Sequence, residues 1–333
     1  MSTATAVAVT GAEGFIGSHL VEALVASGRR VRAMVQYNSF SSHGWLELLP
    51  PEVTDCVDVV LGDVRDPGSV RDLVAGCDTV YHLAALIAIP YSYRAPRSYV
   101  DTNVSGTLNV LEAVRESGIP RLVHTSTSET YGTAQTVPIS EDHPIVTQSP
   151  YAASKAGGDR LADSYHASFG TPVVTLRPFN TFGPRQSMRA VIPTVIGQVA
   201  AGERKVTLGD LRPTRDFTYV KDTAAAFLAV GTAPAGRVVG RTFNAGTGGE
   251  ISVGDLVRLI GTLMDTDLAV LEDPQRLRPA GSEVMRLVCD ASRLREATGW
   301  APAHRLEDGL ARTIDFFRDP VHLARYKTGA YNV

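Results

Sequence analysis

A short apolar run followed at once by three spaced glycines dominates the start of this chain. Residues Ala6–Thr10 have the length and composition of a buried strand, and Gly11, Gly14 and Gly17 follow directly. Gly11 permits a tight turn, Gly14 lets the backbone approach a pyrophosphate, and Gly17 allows a helix to pack closely on a strand. Backbone N–H groups at the start of that helix would then meet the phosphates. The motif predicts a dinucleotide-binding βαβ unit.

The first half of the chain alternates short apolar runs with helical patterns, which is typical of parallel βαβ units. Helices are expected at about 15–28, 67–75, 97–118 and 150–169, and Ser149-Pro150 supplies an N-cap and a first-turn proline for the last of them. The predicted strands are Ala6–Thr10, Val31–Val35, Val57–Gly62, Thr79–Leu83, Leu122–Ser126 and Val173–Arg177.

After Pro178 frequent prolines break the pattern into shorter elements. We therefore predict an α/β fold with a Rossmann-type doubly wound parallel sheet and a smaller, irregular C-terminal substrate lobe. The dinucleotide-binding domain is placed at residues 1–178, with later segments returning to it, and the lobe mainly at residues 179–333.

Composition excludes several classes of function. The 333 residues carry a net charge of −3 with no basic block, which argues against nucleic acid or an anionic membrane as a partner. Met1–Thr5 do not resemble a leader peptide, and no apolar run is long enough to span a bilayer. The three cysteines lack metal-ligand spacing, so we expect reduced thiols and no metal site. The expected location is the cytoplasm.

A tyrosine and a lysine four residues apart predict the centre of the chemistry. Tyr151 and Lys155 share one face of the helix expected at 150–169. A nearby ammonium favours tyrosinate, which lowers the pKa of the tyrosine and lets it accept a proton from a sugar hydroxyl. Thr127 is expected to hydrogen-bond the same hydroxyl. This set serves hydride transfer between a sugar and a nicotinamide.

Glu129 adds a carboxylate to the same predicted pocket. Hydride transfer at carbon 4 of a sugar does not need it, so the carboxylate indicates a second proton transfer. Once carbon 4 is a ketone, the proton on carbon 5 is acidic, and a carboxylate base removes it. Loss of the hydroxyl from carbon 6 and return of the hydride to that carbon complete a redox-neutral dehydration, for which Glu129 is the predicted base.

Further cofactor contacts are expected at the carboxyl ends of the strands. Asp63 and Val64 follow the third strand and suit the adenine end of the cofactor. The choice between NAD and NADP stays open, because the run at the end of the second strand, residues 34–39, has neither an acidic residue for the ribose hydroxyl nor an arginine for a 2′-phosphate. The remaining predicted cofactor contacts are Phe15, Ile16, Leu83, Ala84 and Ala85.

Taken together, the motifs resemble the extended short-chain dehydrogenase/reductase family that acts on nucleotide-diphosphate sugars. The resemblance rests on the glycine motif, on Tyr151 with Lys155, and on the runs Arg177–Pro184 and Arg215–Asp222, and it covers nearly the whole chain. Within the family, residues 127–132 look like the 4,6-dehydratase pattern. Residues 186–193, 276–279 and 282–284 look most like the dehydratases of nucleotide-linked N-acetylglucosamine in legionaminic-acid-type pathways.

The resemblance implies further properties. It implies a tightly bound NAD recycled in each turnover, with NADP not excluded, and a homodimer formed through a four-helix bundle of the helices at 97–118 and 150–169. Asn103 would support the backbone of the active site. The implied substrate-binding residues are Asn180, Arg185, Val191, Leu208, Arg215 and Arg278.

One departure from the family pattern concerns the proton donor. Many glucose-nucleotide dehydratases have Asp-Glu where this chain has Ser128-Glu129, and that aspartate protonates the leaving hydroxyl. Serine lacks the acidity for that task. We hypothesise that Glu129, once it holds the carbon 5 proton, passes a proton to the departing oxygen, with Ser128 or water as a relay.

Other functions fit parts of the pattern. A nucleotide-sugar 4-epimerase would use Tyr151 and Lys155 but has no need of Glu129. A UDP-glucuronate decarboxylase also carries a Thr-Ser-Glu run, and Arg185 or Arg189 would then hold the substrate carboxylate. A 5,6-dehydratase would stop at the enone-like stage. A non-catalytic dinucleotide sensor is disfavoured because Tyr151, Lys155 and Glu129 are all present.

Overall fold

The computed structural model describes residues 6–330. The prediction that Met1–Thr5 do not form a leader peptide therefore lies outside the described residues. Within residues 6–330, no helix combines the length and the apolar character needed to cross a membrane.

Seven parallel strands form the central sheet, and six of them lie where the alternating pattern predicted strands. Their order is β11-β6-β5-β4-β1-β2-β3, so the chain winds outward in both directions from the gap between β1 and β4. Loops at such a reversal diverge and leave a crevice at the carboxyl ends of the strands. The strands are β1 (Ala6–Thr10), β2 (Val31–Gln36), β3 (Val57–Gly62), β4 (Cys77–His82), β5 (Leu122–Thr125), β6 (Val173–Pro178) and β11 (Thr242–Ala245).

The other strands of the described residues form two pairs and one group of three. β10 pairs with β7, β13 with β8, and β9 lies between β12 and β14. These strands are β7 (Asn180–Phe182), β8 (Lys205–Leu208), β9 (Thr214–Arg215), β10 (Phe217–Tyr219), β12 (Ile251–Ser252), β13 (Ala269–Glu272) and β14 (Arg286–Leu287).

Helices cover both faces of the sheet and complete the lobe. They are α1 (Phe15–Ala26), α2 (Pro51–Thr54), α3 (Pro67–Val74), α4 (Ile89–Arg94), α5 (Pro96–Tyr99), α6 (Gly106–Glu116), α7 (Pro150–Phe169), α8 (Val191–Ala200), α9 (Val220–Thr232), α10 (Ala235–Val238), α11 (Val253–Leu263), α12 (Ser292–Thr298), α13 (Leu306–Arg318) and α14 (Pro320–Leu323). Short 3₁₀ turns occupy Gly44–Leu48, Ser128–Tyr131, Pro274–Arg276 and Ala280–Ser282.

The boundaries of α7 follow from local chemistry. Ser149 Oγ accepts a hydrogen bond from the N–H of Ala152, and Pro150 occupies the first helical position. Gly170, with φ of 68°, ends the helix in the left-handed conformation that glycine adopts readily. α7 therefore begins where the sequence predicted and carries Tyr151 in its first turn.

Two features differ from the sequence-based expectation. The segment expected as one helix at 97–118 contains a π-helical stretch at Val100–Ser105 between α5 and α6. The seventh strand, β11, was not anticipated, because four residues between glycine-containing turns are too short for a periodic signal. It pairs in parallel with β6 and is the edge strand on that side of the sheet.

Three large buried clusters and a small one around Tyr151 form the core of residues 6–330. One includes Val9 and Phe243, and a second includes Val80 and Leu111; both draw on residues of the central sheet. A third cluster around Phe182 fills the lobe and contacts the partly buried Phe15 and Ile16 of α1. The lobe therefore packs directly against the first turn of the helix that follows the glycine motif.

Candidate active site

The glycine motif forms a cradle at the gap between β1 and β4. Gly11 has φ of +68°, and a Cβ on it would lie 2.8 Å from the amide nitrogen of Ala84. A Cβ on Gly17 would lie 2.0 Å from the Gly11 carbonyl oxygen, so α1 packs closely against the turn. Gly14 caps α1 without a side-chain hydrogen bond, which leaves backbone N–H groups directed outward from the helix. These residues fit a pyrophosphate-containing dinucleotide.

The other predicted cofactor residues surround this cradle. Thr10 Oγ1 accepts hydrogen bonds from the N–H groups of Leu83 and Ala84, each at 3.1 Å, which fixes the start of the β4 loop containing Ala85. Asp63, at the end of β3, is bound by the side chain of Arg65, with Nε 3.0 Å from each carboxylate oxygen. Val64 is buried.

Asn103 ties the β4 loop to α7. Its Oδ1 accepts from the N–H of Leu86, and its Nδ2 donates to the carbonyl of Leu86 and to Ser154 Oγ, each at 2.9 Å. The residue lies in the π-helical stretch, and such stretches recur at functional sites. Asn103 thus holds backbone beside the site.

Thr127 links the two predicted proton-transfer residues. Its Oγ1 accepts a hydrogen bond from the N–H of Glu129 at 3.2 Å and caps the 3₁₀ turn Ser128–Tyr131. The Thr127 side chain also hydrogen-bonds the hydroxyl of Tyr151. The structure therefore brings Thr127, Glu129 and Tyr151 together, with Ser128 buried in the same turn.

Lys155 is buried one helical turn after Tyr151 and donates a hydrogen bond from Nζ to the carbonyl of Thr125 at 2.6 Å. Burial lowers the pKa of Lys155 to about 8, while the charge of Asp159 raises it. Two N–H donors of the ammonium remain for a ligand or for water.

The expectation that Lys155 lowers the pKa of Tyr151 is wrong for this structure. Burial raises the pKa of Tyr151, the hydrogen bond with Thr127 lowers it, and the charge of Glu129 raises it again. Burial and the nearby carboxylate both disfavour the charged tyrosinate form. The catalytic role of Tyr151 stays a prediction.

A buried network behind Lys155 was missed by the sequence reasoning. Asp159 accepts hydrogen bonds from Ser126 Oγ at 2.7 Å and from Arg177 Nη2 at 2.9 Å, and it pairs with His124 Nε2 at 3.1 Å. All four side chains are buried. The spacing along the helix could have predicted Asp159, because it follows Lys155 by one helical turn and lies on the same face.

Two arginines and two carboxylates lie together on the side of the site where substrate is predicted to bind. Arg278 Nη1 lies 3.9 Å from Glu129 Oε2 and 3.7 Å from Glu283 Oε1. Arg215 Nη2 donates to Glu283 Oε1 at 3.3 Å, and burial lowers the pKa of Arg215, which the charge of Glu129 raises. The structure thus places both predicted arginines beside the predicted base.

The other predicted substrate residues lie in different settings. Asn180 opens β7, and its Oδ1 is buried without a hydrogen-bond partner, which leaves an acceptor for a ligand. Arg185 is not joined to the group around Glu129; its guanidinium binds Glu22, with Nη1 2.9 Å from Oε2. Val191 begins α8, and Leu208 is a buried member of the lobe cluster.

This chain is similar to known nucleotide-sugar dehydratases and epimerases. The family model described as GDP-mannose 4,6 dehydratase matches residues 8–313. A UDP-glucose 4-epimerase of Mycolicibacterium smegmatis is 35% identical over 93% of this chain and 98% of its own length. A dTDP-glucose 4,6-dehydratase of Xanthomonas campestris is 34% identical over 93% of this chain and 92% of its own.

Similar solved structures also include a 4,6-dehydratase and a 4-epimerase. The DesIV dTDP-glucose 4,6-dehydratase of Streptomyces venezuelae, with NAD and TYD bound, has a TM-score of 0.85 at 28% identity and covers 96% of this chain and 98% of its own. The Thermus thermophilus UDP-glucose 4-epimerase in complex with NAD has a TM-score of 0.83 at 30% identity, covering 94% of this chain and 99% of its own.

Proposed function

This chain belongs to the extended short-chain dehydrogenase/reductase family of nucleotide-sugar dehydratases and epimerases, and we propose that it catalyses 4,6-dehydration of a nucleotide-diphosphate sugar. The observation that carries the proposal is the position of Glu129. Its carboxylate acts electrostatically on Tyr151, and Thr127 contacts both residues. A 4-epimerase has no second proton to remove and would not need this carboxylate.

Each residue has a defined task in the proposed reaction. A nicotinamide dinucleotide in the cradle supplies reversible hydride acceptance, so the dehydration consumes no net oxidant. Tyr151, oriented by Thr127, exchanges a proton with the hydroxyl on carbon 4. Lys155, buried one helical turn after Tyr151, supplies an ammonium whose remaining N–H donors would bind the substrate or cofactor hydroxyls. Burial keeps Tyr151 protonated at neutral pH, because it raises the pKa of that hydroxyl.

Glu129 then performs the step that distinguishes a dehydratase. It removes the proton on carbon 5, which the adjacent ketone makes acidic, and the carbon 6 hydroxyl departs with a proton as water. Ser128, next to Glu129 in the turn, is the proposed relay for that proton. Return of the hydride to carbon 6, together with a proton to carbon 5 that balances the one taken from the carbon 4 hydroxyl, gives the 4-keto-6-deoxy sugar. The overall balance is substrate to product plus one water.

The proposed substrate is UDP-N-acetylglucosamine. Support comes from the runs at 186–193, 276–279 and 282–284 and from the solved UDP-N-acetylglucosamine 4-epimerase of Methanobrevibacter ruminantium, which has a TM-score of 0.83. Arg215 and Arg278 would bind the diphosphate, because guanidinium groups match phosphate oxygens in geometry and charge. NAD is the proposed cofactor, bound tightly and recycled.

We also propose a cytoplasmic homodimer assembled through α6 and α7. The two helices lie side by side, since the hydroxyl of Tyr165 on α7 hydrogen-bonds Glu112 on α6. Leu108 on α6 and Phe169 at the end of α7 are exposed apolar residues that a partner's matching helices would cover. Sedimentation equilibrium would show twice the 35.6 kDa chain mass if the dimer forms, and the chain mass alone if it does not.

The experiment that tests the activity is mass spectrometry after separate incubation with UDP-N-acetylglucosamine, GDP-N-acetylglucosamine and UDP-glucuronate. Loss of one water from a hexosamine substrate, with no net change in added NAD, supports the dehydratase and identifies its nucleotide. Loss of carbon dioxide from the glucuronate assigns a decarboxylase instead. Chromatographic conversion to an isomer of unchanged mass assigns an epimerase.

A further inference from the structure

The second strand of the dinucleotide-binding unit, β2, lacks the acidic residue that usually binds the adenosine ribose. In dinucleotide sites of this kind an acidic side chain at the end of the second strand binds the adenosine ribose, and here that strand ends in Gln36. Neither Gln36 nor the following Tyr37 and Asn38 carries a carboxylate. The strand by itself therefore has no anionic group for the ribose hydroxyls.

A carboxylate reaches this position from the glycine turn instead. Glu13 lies between Gly11 and Gly14, and its Oε1 accepts a hydrogen bond from the backbone N–H of Gln36 at 3.1 Å. β1 and β2 are paired in parallel, so the turn after β1 and the end of β2 meet at the same edge of the sheet. The Glu13 carboxylate thus occupies the neighbourhood in which the missing acidic side chain would lie.

The second oxygen of this carboxylate has no structural task. Oε2 of Glu13 is buried and has no hydrogen-bond partner, although a buried carboxylate oxygen normally requires one. The segment at Gly44-Trp45 closes over the residue, since the N–H of Trp45 donates to the Glu13 carbonyl at 3.0 Å. The backbone contacts account for the carbonyl and Oε1, and they leave Oε2 as an acceptor without a donor.

From this geometry we infer that Glu13 binds the 2′-hydroxyl of the adenosine ribose through Oε2 and selects NAD over NADP. The inference rests on the proposed function only in requiring a dinucleotide in the cradle. A ribose hydroxyl donates to a carboxylate, whereas a 2′-phosphate at the same point would place like charges together. Burial raises the pKa of Glu13 and the hydrogen bond from the Gln36 N–H lowers it, which is consistent with a carboxylate that has a donor on one oxygen only.

The neighbouring polar groups do not offer a competing phosphate site. Arg65 is engaged by Asp63 through Nε and Nη2. The Asn38 side chain is occupied by its own loop, because Nδ2 donates to the carbonyls of Gln36 and Ser42 while Oδ1 accepts from backbone N–H groups. Glu13 is therefore the group at this corner with an unused acceptor.

The test is titration calorimetry of dinucleotide-stripped protein with NAD, NADP and 2′-deoxy-NAD, without sugar substrate. Glu13→Gln preserves the acceptor for Gln36 and removes the charge, and Glu52→Gln, on the exposed α2, is the matched control. Wild type should bind NAD at least tenfold more tightly than NADP or 2′-deoxy-NAD. Glu13→Gln should lose about 10- to 100-fold in NAD affinity, as expected for a charged hydrogen bond, and should no longer distinguish the deoxy analogue.

Three results would overturn the inference: wild-type NAD affinity in Glu13→Gln, an equal loss for NAD and 2′-deoxy-NAD, or a wild-type preference for NADP. A melting curve of each variant without ligand separates lost binding from lost folding. Because no sugar is present, the binding result stands whether or not the protein dehydrates one. Failure of the proposed function would appear only in the product analysis.

Discussion

Nη1 of Arg278 lies 3.9 Å from the carboxylate of Glu129 and donates no hydrogen bond, although it is buried. A buried guanidinium nitrogen without an acceptor costs free energy unless a ligand completes its contacts. The arginine also connects the loop after β13 to the turn that carries the predicted base. In the proposed function, substrate anchoring and positioning of the base are therefore coupled through the Arg278 side chain.

Replacing Arg278 should weaken nucleotide binding. Arg278→Met removes the cation while keeping apolar bulk, and we expect UDP to bind about 10- to 100-fold more weakly because a charge-assisted contact to the diphosphate is lost. Titration calorimetry with UDP measures the effect. The exposed Arg212→Met is the control, since Arg212 pairs with Asp210 on the lobe surface. Unchanged UDP affinity in Arg278→Met would remove this arginine from the substrate site.

Replacing Glu129 should stop proton removal at carbon 5. In Glu129→Gln, turnover should fall by about 10²- to 10⁴-fold, as is typical when an acid–base group is lost, while NAD binding is retained. NMR in deuterated water measures exchange at carbon 5 directly. Glu272→Gln, an exposed residue of the lobe, should behave as wild type. If exchange at carbon 5 persists in Glu129→Gln, Glu129 serves as an ion-pair partner of Arg278 and not as the base.

Replacing Ser128 separates the two halves of the elimination. If its hydroxyl relays the proton to the departing oxygen, Ser128→Ala should slow water loss about tenfold or more, while deuterium exchange at carbon 5 continues at the wild-type rate. Product formation and exchange are followed in the same NMR sample. Ser164→Ala, on the exposed side of α7, controls for general effects. Full turnover in Ser128→Ala would exclude the relay.

Removing the Tyr151 hydroxyl should reduce turnover by about 10²- to 10⁴-fold, because the proton of the hydroxyl on carbon 4 then has no acceptor. Steady-state assays of Tyr151→Phe measure this loss, and calorimetry checks that NAD still binds. Tyr326→Phe is a suitable control, since the Tyr326 hydroxyl is buried without a hydrogen-bond partner. Near-wild-type turnover in Tyr151→Phe would contradict the proton-transfer role.

The charge state of Lys155 predicts an alkaline limit on activity. Its pKa of about 8 means that the ammonium loses its proton above that pH, so kcat should fall roughly tenfold by about pH 9. The charge of Asp159 raises the pKa of Lys155, and therefore Asp159→Asn should move the alkaline limb to lower pH. The kcat–pH profile measures both effects.

Two checks separate this effect from loss of structure. Asp163→Asn removes a charge from the exposed side of α7, where Asp163 pairs with Arg160, and should leave the profile unchanged. Asp159→Asn weakens the partner of the buried Arg177, so circular dichroism must show a folded protein before the profile is interpreted. A folded Asp159→Asn enzyme with the wild-type alkaline limb would show that Asp159 does not act on Lys155.

The local parts of the site were predictable because they depend on short spacing. The glycine turn, the start of α7 at Ser149-Pro150 and the shared face of Tyr151 and Lys155 follow from φ preferences, capping and the helical period. The π-helical stretch around Asn103 was not predictable, because no periodic signal distinguishes it from an ordinary helix. The strand β11 was missed for a similar reason, being short and remote from its partner β6.

The sequence by itself determined the α/β class, the positions of six of the seven sheet strands and the residues that form the proposed proton-transfer set. Only the tertiary structure decided what these residues face. It brought Arg278 to Glu129 across 149 positions of the printed sequence, placed Asp159 among side chains of two strands, and directed Glu13 to the end of β2. Burial and long-range charge, which depend on the packed chain, then reversed the expected direction of the Tyr151 pKa.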